Sequence, residues 1–439
     1  MKQASIAPAH PRSPCAGTVG GISLNARSKG ARVRRPVIGL LLLLAGCATV
    51  KPDAPVATPV AVTGVAFDRA GERASFADGL ADPRTGRAVT PDDPVRIASV
   101  SKLAVAIGVM RLAEQGKLDL DSDVSRWLGW TLRNPAHPDQ PISLAMLLSH
   151  TSSVRDHDDQ YAIPLGQSVQ AVMADSRSWD SRHGAANHYF TYSNMNFPIV
   201  AAIVERVTGE RFDRWMRREV IAPLGIDACY NWPTCSEDAV ARAVVLTQDG
   251  KPVRDDLRGR RPDCPVLPAA DGGCDLGAWR AGENGALFAP QGGLRISARG
   301  LGRIGRMLLN RGTLDGARIL APQSVDRLLA QRWRFDGANG DTDHGFYCSF
   351  GLSAHHIPTA QPGCSDDSAG DGVVRIGHAG DAYGLRSGLW IDRARGTGIA
   401  YFVTGLPDDP PRGRSAFRAA EEAAFKRALA LTGKSHRSR

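Results

Sequence analysis

Three catalytic signatures are missing from this 439-residue sequence. No H-E-x-x-H and no C-x-x-C occurs, which removes the common zinc and dithiol arrangements. The absence of G-x-S-x-G removes the nucleophile turn of an α/β-hydrolase. Lysine is scarce, at 8 of the 54 basic residues, so arginine is the default cation and each lysine needs its own reason. Residues 1–46 hold no Asp or Glu, but carry Lys2, Arg12, Arg27, Lys29, Arg32, Arg34 and Arg35. Deducting those seven charges from the net +9 leaves +2 for the remaining chain, part of it in the tail KSHRSR. A nearly neutral body gives no electrostatic footprint for nucleic acid. The apolar run Val37–Ala45 is too short to span a bilayer.

That run does suit the core of a signal peptide, since it follows the basic stretch RSKGARVRRP. It ends in LAGC at Cys47, which resembles a bacterial lipobox. The expectation is a signal peptide over 1–46, with Cys47 lipidated as the new N-terminus and a Pro/Ala tether over 47–60. A domain over 61–433 and a basic tail over 434–439 complete the division. The protein would then be exported and held to a membrane of the bacterial envelope by its lipid, with the domain in the periplasm. A plain signal peptide with an incidental Cys47 is the simpler alternative. Setting Cys15 and Cys47 aside leaves an even set of six cysteines. Each consecutive pair brackets a Gly, Pro or polar loop, so the expected bridges are Cys229–Cys235, Cys264–Cys274 and Cys348–Cys364.

The folded part opens with two strand-like runs, VTGVAF and RASFADG, and closes with three more, VVRIGHAG, GLRSGLWIDR and TGIAYFVTG. SAFRAAEEAAFKRALALTG reads as a final amphipathic helix. Between them helical spacing prevails, as in FPIVAAIVERVTG and LGRIGRMLLNRG, broken by the Gly- and Pro-rich excursion RGRRPDCPVLPAADGGCDLG. The predicted fold class is α/β (α+β). An antiparallel sheet is built from both chain ends and flanked by helices, with a mostly α-helical insertion over about 120–290.

Chemistry concentrates in RIASVSKLAVAIG, where Ser99 and Lys102 stand three apart at a helix start and so share one face. A serine hydroxyl attacks only when a base takes its proton, and a lysine of lowered pKa can be that base where an arginine cannot. Of the eight lysines, only Lys102 has a serine three residues before it. The bland alternative is an N-cap serine with a solvated lysine. Ser101 is a second candidate hydroxyl, turned away from Lys102 by its spacing. Further on, YFTYSNMNF offers Tyr192 to relay protons and Asn194 to donate and accept hydrogen bonds. RIGHAGDAYGLRSG places His378 and Gly380 on a strand, where glycine lets a substrate backbone approach. The N–H of Asp381 pairs naturally with that of Ser99 as an oxyanion hole.

In this order the three motifs resemble the serine β-lactamase and penicillin-binding-protein superfamily, and within it the class C β-lactamase branch that includes D-Ala-D-Ala carboxypeptidases and esterases. The likeness runs over residues 60 to 432, through GLADPRTGRAVTPDDPVRIASVSK, ISLAMLLSHTSSV and QGGLRISARGLGRIGRMLLNRGTLDGARIL. The resemblance implies an acylated Ser99, with general acid and base work shared by Lys102 and Tyr192. It also implies that Asn194 orients substrate or lysine, and that His378 and Gly380 line the strand edge. Two positions depart from the family pattern. His378-Ala379-Gly380 stands where Lys-Thr-Gly is usual, which weakens the grip on a substrate carboxylate and favours an esterase or peptidase over an efficient β-lactamase. Arg375 or Arg386 could supply the missing charge. Ser153 stands where a turn glycine is usual.

His150, His157 and nearby aspartates in SHTSSVRDHDDQ resemble a metal cluster, but read better as a solvated loop; no metal and no cofactor is expected. The expected partners are a small-molecule or peptidoglycan-derived substrate and a membrane through Cys47, for a monomeric enzyme. The rival function is a penicillin- or peptidoglycan-binding sensor lipoprotein on the same scaffold that never turns over.

Overall fold

The computed structural model describes residues 59–433; the expected signal peptide, Cys47 and the basic tail lie outside the described residues. Three strands come from the N-terminal side: β1 (Ala61–Asp68), β2 (Glu72–Asp82) and β3 (Arg87–Ala88). Six come from the C-terminal side: β4 (Trp333–Arg334), β5 (Ser349–Phe350), β6 (His355–Ile357), β7 (Arg375–Ala382), β8 (Leu385–Asp392) and β9 (Thr397–Thr404). They form one nine-stranded antiparallel sheet in the order β4-β5-β6-β7-β8-β9-β1-β2-β3. The two halves join where β1 pairs with β9, Ala61 opposite Thr404 and Asp68 opposite Thr397.

Four helices position the rest: α1 (Ser101–Glu114), α2 (Asn196–Thr208), α3 (Ala298–Leu309) and α4 (Ala419–Ala430). The period-2 alternation of the central strands gives each face of the sheet its own core. Val65, Phe67, Leu389, Ile391, Ala400 and Phe402 belong to the large core that also contains α1 and α3. Their neighbours Ala66, Trp390, Tyr401 and Val403 pack on the other face with Phe425 and Ala428 of α4. On α3, a Cβ at Gly305 would overlap the Phe67 ring, so glycine is what allows the helix so close to β1. From Ser101 to Met110 every residue of α1 is buried, which is why its sequence shows no polar face: it runs through the core.

The insertion is less regular than its spacing predicts. Within 120–290, α2 is the long α-helix; the other α-helices run four or five residues. Several begin on a serine cap (Ser143, Ser168 and Ser236 each accept a backbone N–H) and stop within two turns. Loops fill the space between them, and residues 258–277 form a mostly exposed excursion. All three expected disulfides are present: Cys229–Cys235, Cys264–Cys274 and Cys348–Cys364.

Candidate active site

Ser99 does not cap a helix. It sits in a 3-10 turn, Ala98–Val100, that leads into α1, and no side-chain cap bond is made at either start. Ala98, just before it, takes a left-handed conformation (φ 48°) that a non-glycine residue adopts only under constraint. That constraint comes from the sheet. Ser387 of β8 donates its hydroxyl to the Ile97 carbonyl at 2.7 Å, and a Cβ on Gly380 of β7 would overlap that same oxygen. Ser101 is structural: its hydroxyl donates to Ala98 O at 2.7 Å and accepts from Leu294 N at 3.1 Å, tying the turn to the short strand Leu294–Ile296.

Below Ser99 lies Lys102, fully buried. Its Nζ is 2.9 Å from Ser99 Oγ, 2.8 Å from Asn194 Oδ1 and 2.8 Å from the Gln291 carbonyl oxygen. A neutral amine has two N–H bonds and one lone pair. Two carbonyl acceptors take the N–H bonds and leave the lone pair facing the serine hydroxyl. Burial lowers the Lys102 pKa to about 7, against the opposing pull of Asp156. Tyr192 is half-buried and its pKa is raised, chiefly by desolvation, so it is a phenol at neutral pH. Its hydroxyl lies near those of Ser99 and Tyr347, yet has no partner in good hydrogen-bond geometry. Such contacts often tighten only when substrate fills the site.

A cleft of about 710 Å³ opens over this group, lined among others by Ser99, Tyr192, Asn194, Gly380 and Asp381. The pairing of β6 with β7 ends at Gly377, so among the described residues no strand pairs with the cleft edge of β7 beyond it. His378 does not line the cleft. It shares a face of β7 with Gly380, which presses on Ile97 and Ala98, and so turns inward beneath the cleft. There its ring lies 6.3 Å from Tyr192 and edge-on to Phe350. Burial and the nearby Lys102 lower its pKa to about 3, so it offers no cation. Of the two candidate replacements, Arg375 is held by Asp371 away from the cleft. Arg386 lines the cleft but is ion-paired with Asp381.

Residues 56–424 match the family model described as Beta-lactamase. The chain belongs to the Beta-lactamase family. It is similar to penicillin-binding protein 4 of Amycolatopsis lactamdurans, 27% identical over 60% of this chain and 63% of that one. It is also similar to esterase EstB of Burkholderia gladioli, 30% identical over 35% of this chain and 42% of the relative. The match thus spans less than two thirds of either relative's length. The D-amino acid amidase of Ochrobactrum anthropi SV3, solved with L-phenylalanine amide, shares the fold, with a TM-score of 0.61 at 20% identity. That alignment covers 85% of this chain and 93% of the amidase.

In this Beta-lactamase-family fold the stretch SHTSSVRDHDDQ is solvated only towards its end, where Asp158 and Asp159 are exposed; its first six residues are buried. His150 is buried, stacks on the Tyr192 ring at 4.3 Å and accepts a hydrogen bond from Ser193 N at 3.1 Å. Desolvation holds it neutral, its pKa well below the usual value. No metal-binding cluster occurs among the described residues. Ser153 takes φ 65°, the left-handed conformation its glycine counterpart would adopt freely, and its hydroxyl accepts from Asn134 Nδ2 at 3.2 Å. Asp156 organises the Tyr192 loop, a role the sequence did not announce. Its carboxylate accepts from Ser193 Oγ, Asn194 N, Asn194 Nδ2 and Met195 N, at 2.8 to 3.0 Å. The signal was present but unspecific, one aspartate among several in a polar string.

Proposed function

We propose that the protein is a serine hydrolase that acts through an acyl-Ser99 intermediate on an ester or amide carbonyl, with esters or D-Ala-type peptides favoured over β-lactams. The observation that carries this reading is Lys102 Nζ, 2.9 Å from Ser99 Oγ with its two other directions fixed by carbonyl acceptors. In the neutral state Lys102 takes the Ser99 proton as Oγ bonds to the substrate carbonyl carbon. The N–H groups of Ser99 and Asp381 receive the oxyanion. Tyr192, kept protonated by burial, passes a proton to the leaving group and is reprotonated through Lys102. Water then attacks the acyl-Ser99 carbonyl by the same route in reverse. The neutral, buried His378 supports the preference against β-lactams, because it cannot hold a carboxylate at the edge of β7 as a lysine there would.

Intact-mass measurement after incubation with a p-nitrophenyl ester tests the assignment. The wild type and Ser101→Ala gain a transient acyl mass. Ser99→Ala gains none and loses at least about 10³ in turnover. Equal turnover by the two variants overturns it, and a permanent adduct on the wild type replaces the hydrolase with an acyl-binding sensor.

The same proposal extends to place. Three disulfides fit an oxidising compartment outside the cytoplasm. The LAGC motif supports a periplasmic domain anchored by lipid at Cys47, and the enzyme is proposed as a monomer. Cys47→Ser releases the protein from the membrane fraction; unchanged fractionation removes the anchor.

A further inference from the structure

Arg96 stands three residues before Ser99, on the short strand Val95–Arg96, and lines the cleft. Only 8% of it is exposed. A guanidinium buried to that degree ordinarily carries a carboxylate or several carbonyl oxygens. Among the described residues, no carboxylate pairs with Arg96, and its Nε is buried without a hydrogen-bond partner. Its Cζ lies over the Tyr383 ring, 5.3 Å from the ring centre. Tyr383, in the turn after β7, also lines the cleft.

The surroundings add positive charge. Arg254 lies over the same ring at 4.9 Å and donates from Nη2 to Tyr383 Oη at 3.1 Å. Arg295 faces Arg96 across the strand pair. One carboxylate, Asp255, sits among these three arginines, and it accepts from Arg295 Nη2 at 2.7 Å. Of the carboxylates lining the cleft, Asp381 has Arg386, Asp408 accepts from Gln248, Asp159 from the Tyr161 hydroxyl and Glu421 from the Tyr401 hydroxyl, while Asp343 makes no ion pair among the described residues, with Arg96 or any other cation. A guanidinium with no ion pair of its own among the described residues therefore lines the cleft beside Ser99.

We infer that Arg96, backed by Arg254 and Tyr383, is an anion subsite that binds a carboxylate carried by the substrate. This rests on the serine-hydrolase reading and names its substrate class: acyl compounds with an acid group near the scissile carbonyl. The cation missing from the His378 position is supplied by the short strand that leads into Ser99's own turn. Arginine suits the task, since its planar fork can meet both carboxylate oxygens.

Three esters test the subsite: p-nitrophenyl acetate, which is neutral; mono-p-nitrophenyl glutarate, with the acid on the acyl group; and 3-carboxyphenyl acetate, with the acid on the leaving group. Arg96→Gln lowers the ratio of kcat/KM for one acid ester over the neutral ester by about tenfold or more, mainly through KM, as loss of a charge-assisted hydrogen bond would. Arg96→Lys recovers part of that ratio. Arg254→Gln, at an exposed position, lowers it less and guards against a failure of Arg96→Gln to fold. The ester that responds tells which side of the scissile bond the acid occupies. A parallel fall for all three esters makes Arg96 a structural residue and overturns the subsite, as does an unchanged ratio. Hydrolysis of none of the three by the wild type removes the serine-hydrolase reading and the subsite with it.

Discussion

A lysine with no exposed surface is held beside Ser99 because every direction its amine can use has a polar partner. Desolvation sets its pKa near 7, and only the unprotonated form can accept the serine proton. The sign follows directly. Below that value Lys102 is an ammonium and the base is lost, so kcat/KM for a neutral ester should fall about tenfold per pH unit on the acid side. The midpoint should lie near 7. A rate flat from pH 5 to 8 removes Lys102 as the base. Lys102→Arg keeps the charge and cannot deprotonate, so it should lose activity at every pH tested.

At the scale of elements, the site depends on β7 lying against the turn that carries Ser99. Gly380→Ala places a methyl where the Ile97 carbonyl oxygen already is. The strand or the turn must then move, at a cost of about 1–3 kcal/mol in stability. We expect turnover to fall at least about tenfold, because the oxyanion donors and the nucleophile shift relative to one another. Activity equal to wild type would mean that this contact does not position the site. The strands and the long helices were legible in the sequence because their apolar periods are strong: LWI in β8 alternates between two cores, and α2 is apolar along most of its length. The insertion was less legible. Its helical spacing is real over single turns, but serine caps and Gly- and Pro-rich loops cut it into short pieces. At the site, Ser99, Lys102, Tyr192 and Asn194 stood out by motif, whereas His378 was read as lining the edge and is buried beneath it. Asp156 and Arg96 could not be singled out, since their importance lies in which neighbours they have or lack across the fold.

At the scale of the whole molecule, acidity is buried where the final helix meets the sheet. Glu421, on α4, is held near pH 8 by desolvation, and its Oε1 accepts from the Tyr401 hydroxyl at 3.1 Å. Between its ordinary value of 4.5 and 8, the folded state keeps a proton that the unfolded state releases. Stability from this group is therefore present at low pH and lost as pH rises through that window. Glu421→Gln should gain stability relative to wild type as pH rises from about 5 to 8, measured by urea unfolding. A difference independent of pH would show that Glu421 ionises as freely in the fold as outside it.

Because β1 pairs on one side with β2 and on the other with β9, the hairpin β1–β2 gains its second neighbour only after the C-terminal strands have been made. The first strands leave the ribosome with an open edge and wait for the last. Such long-range closure is slow to nucleate.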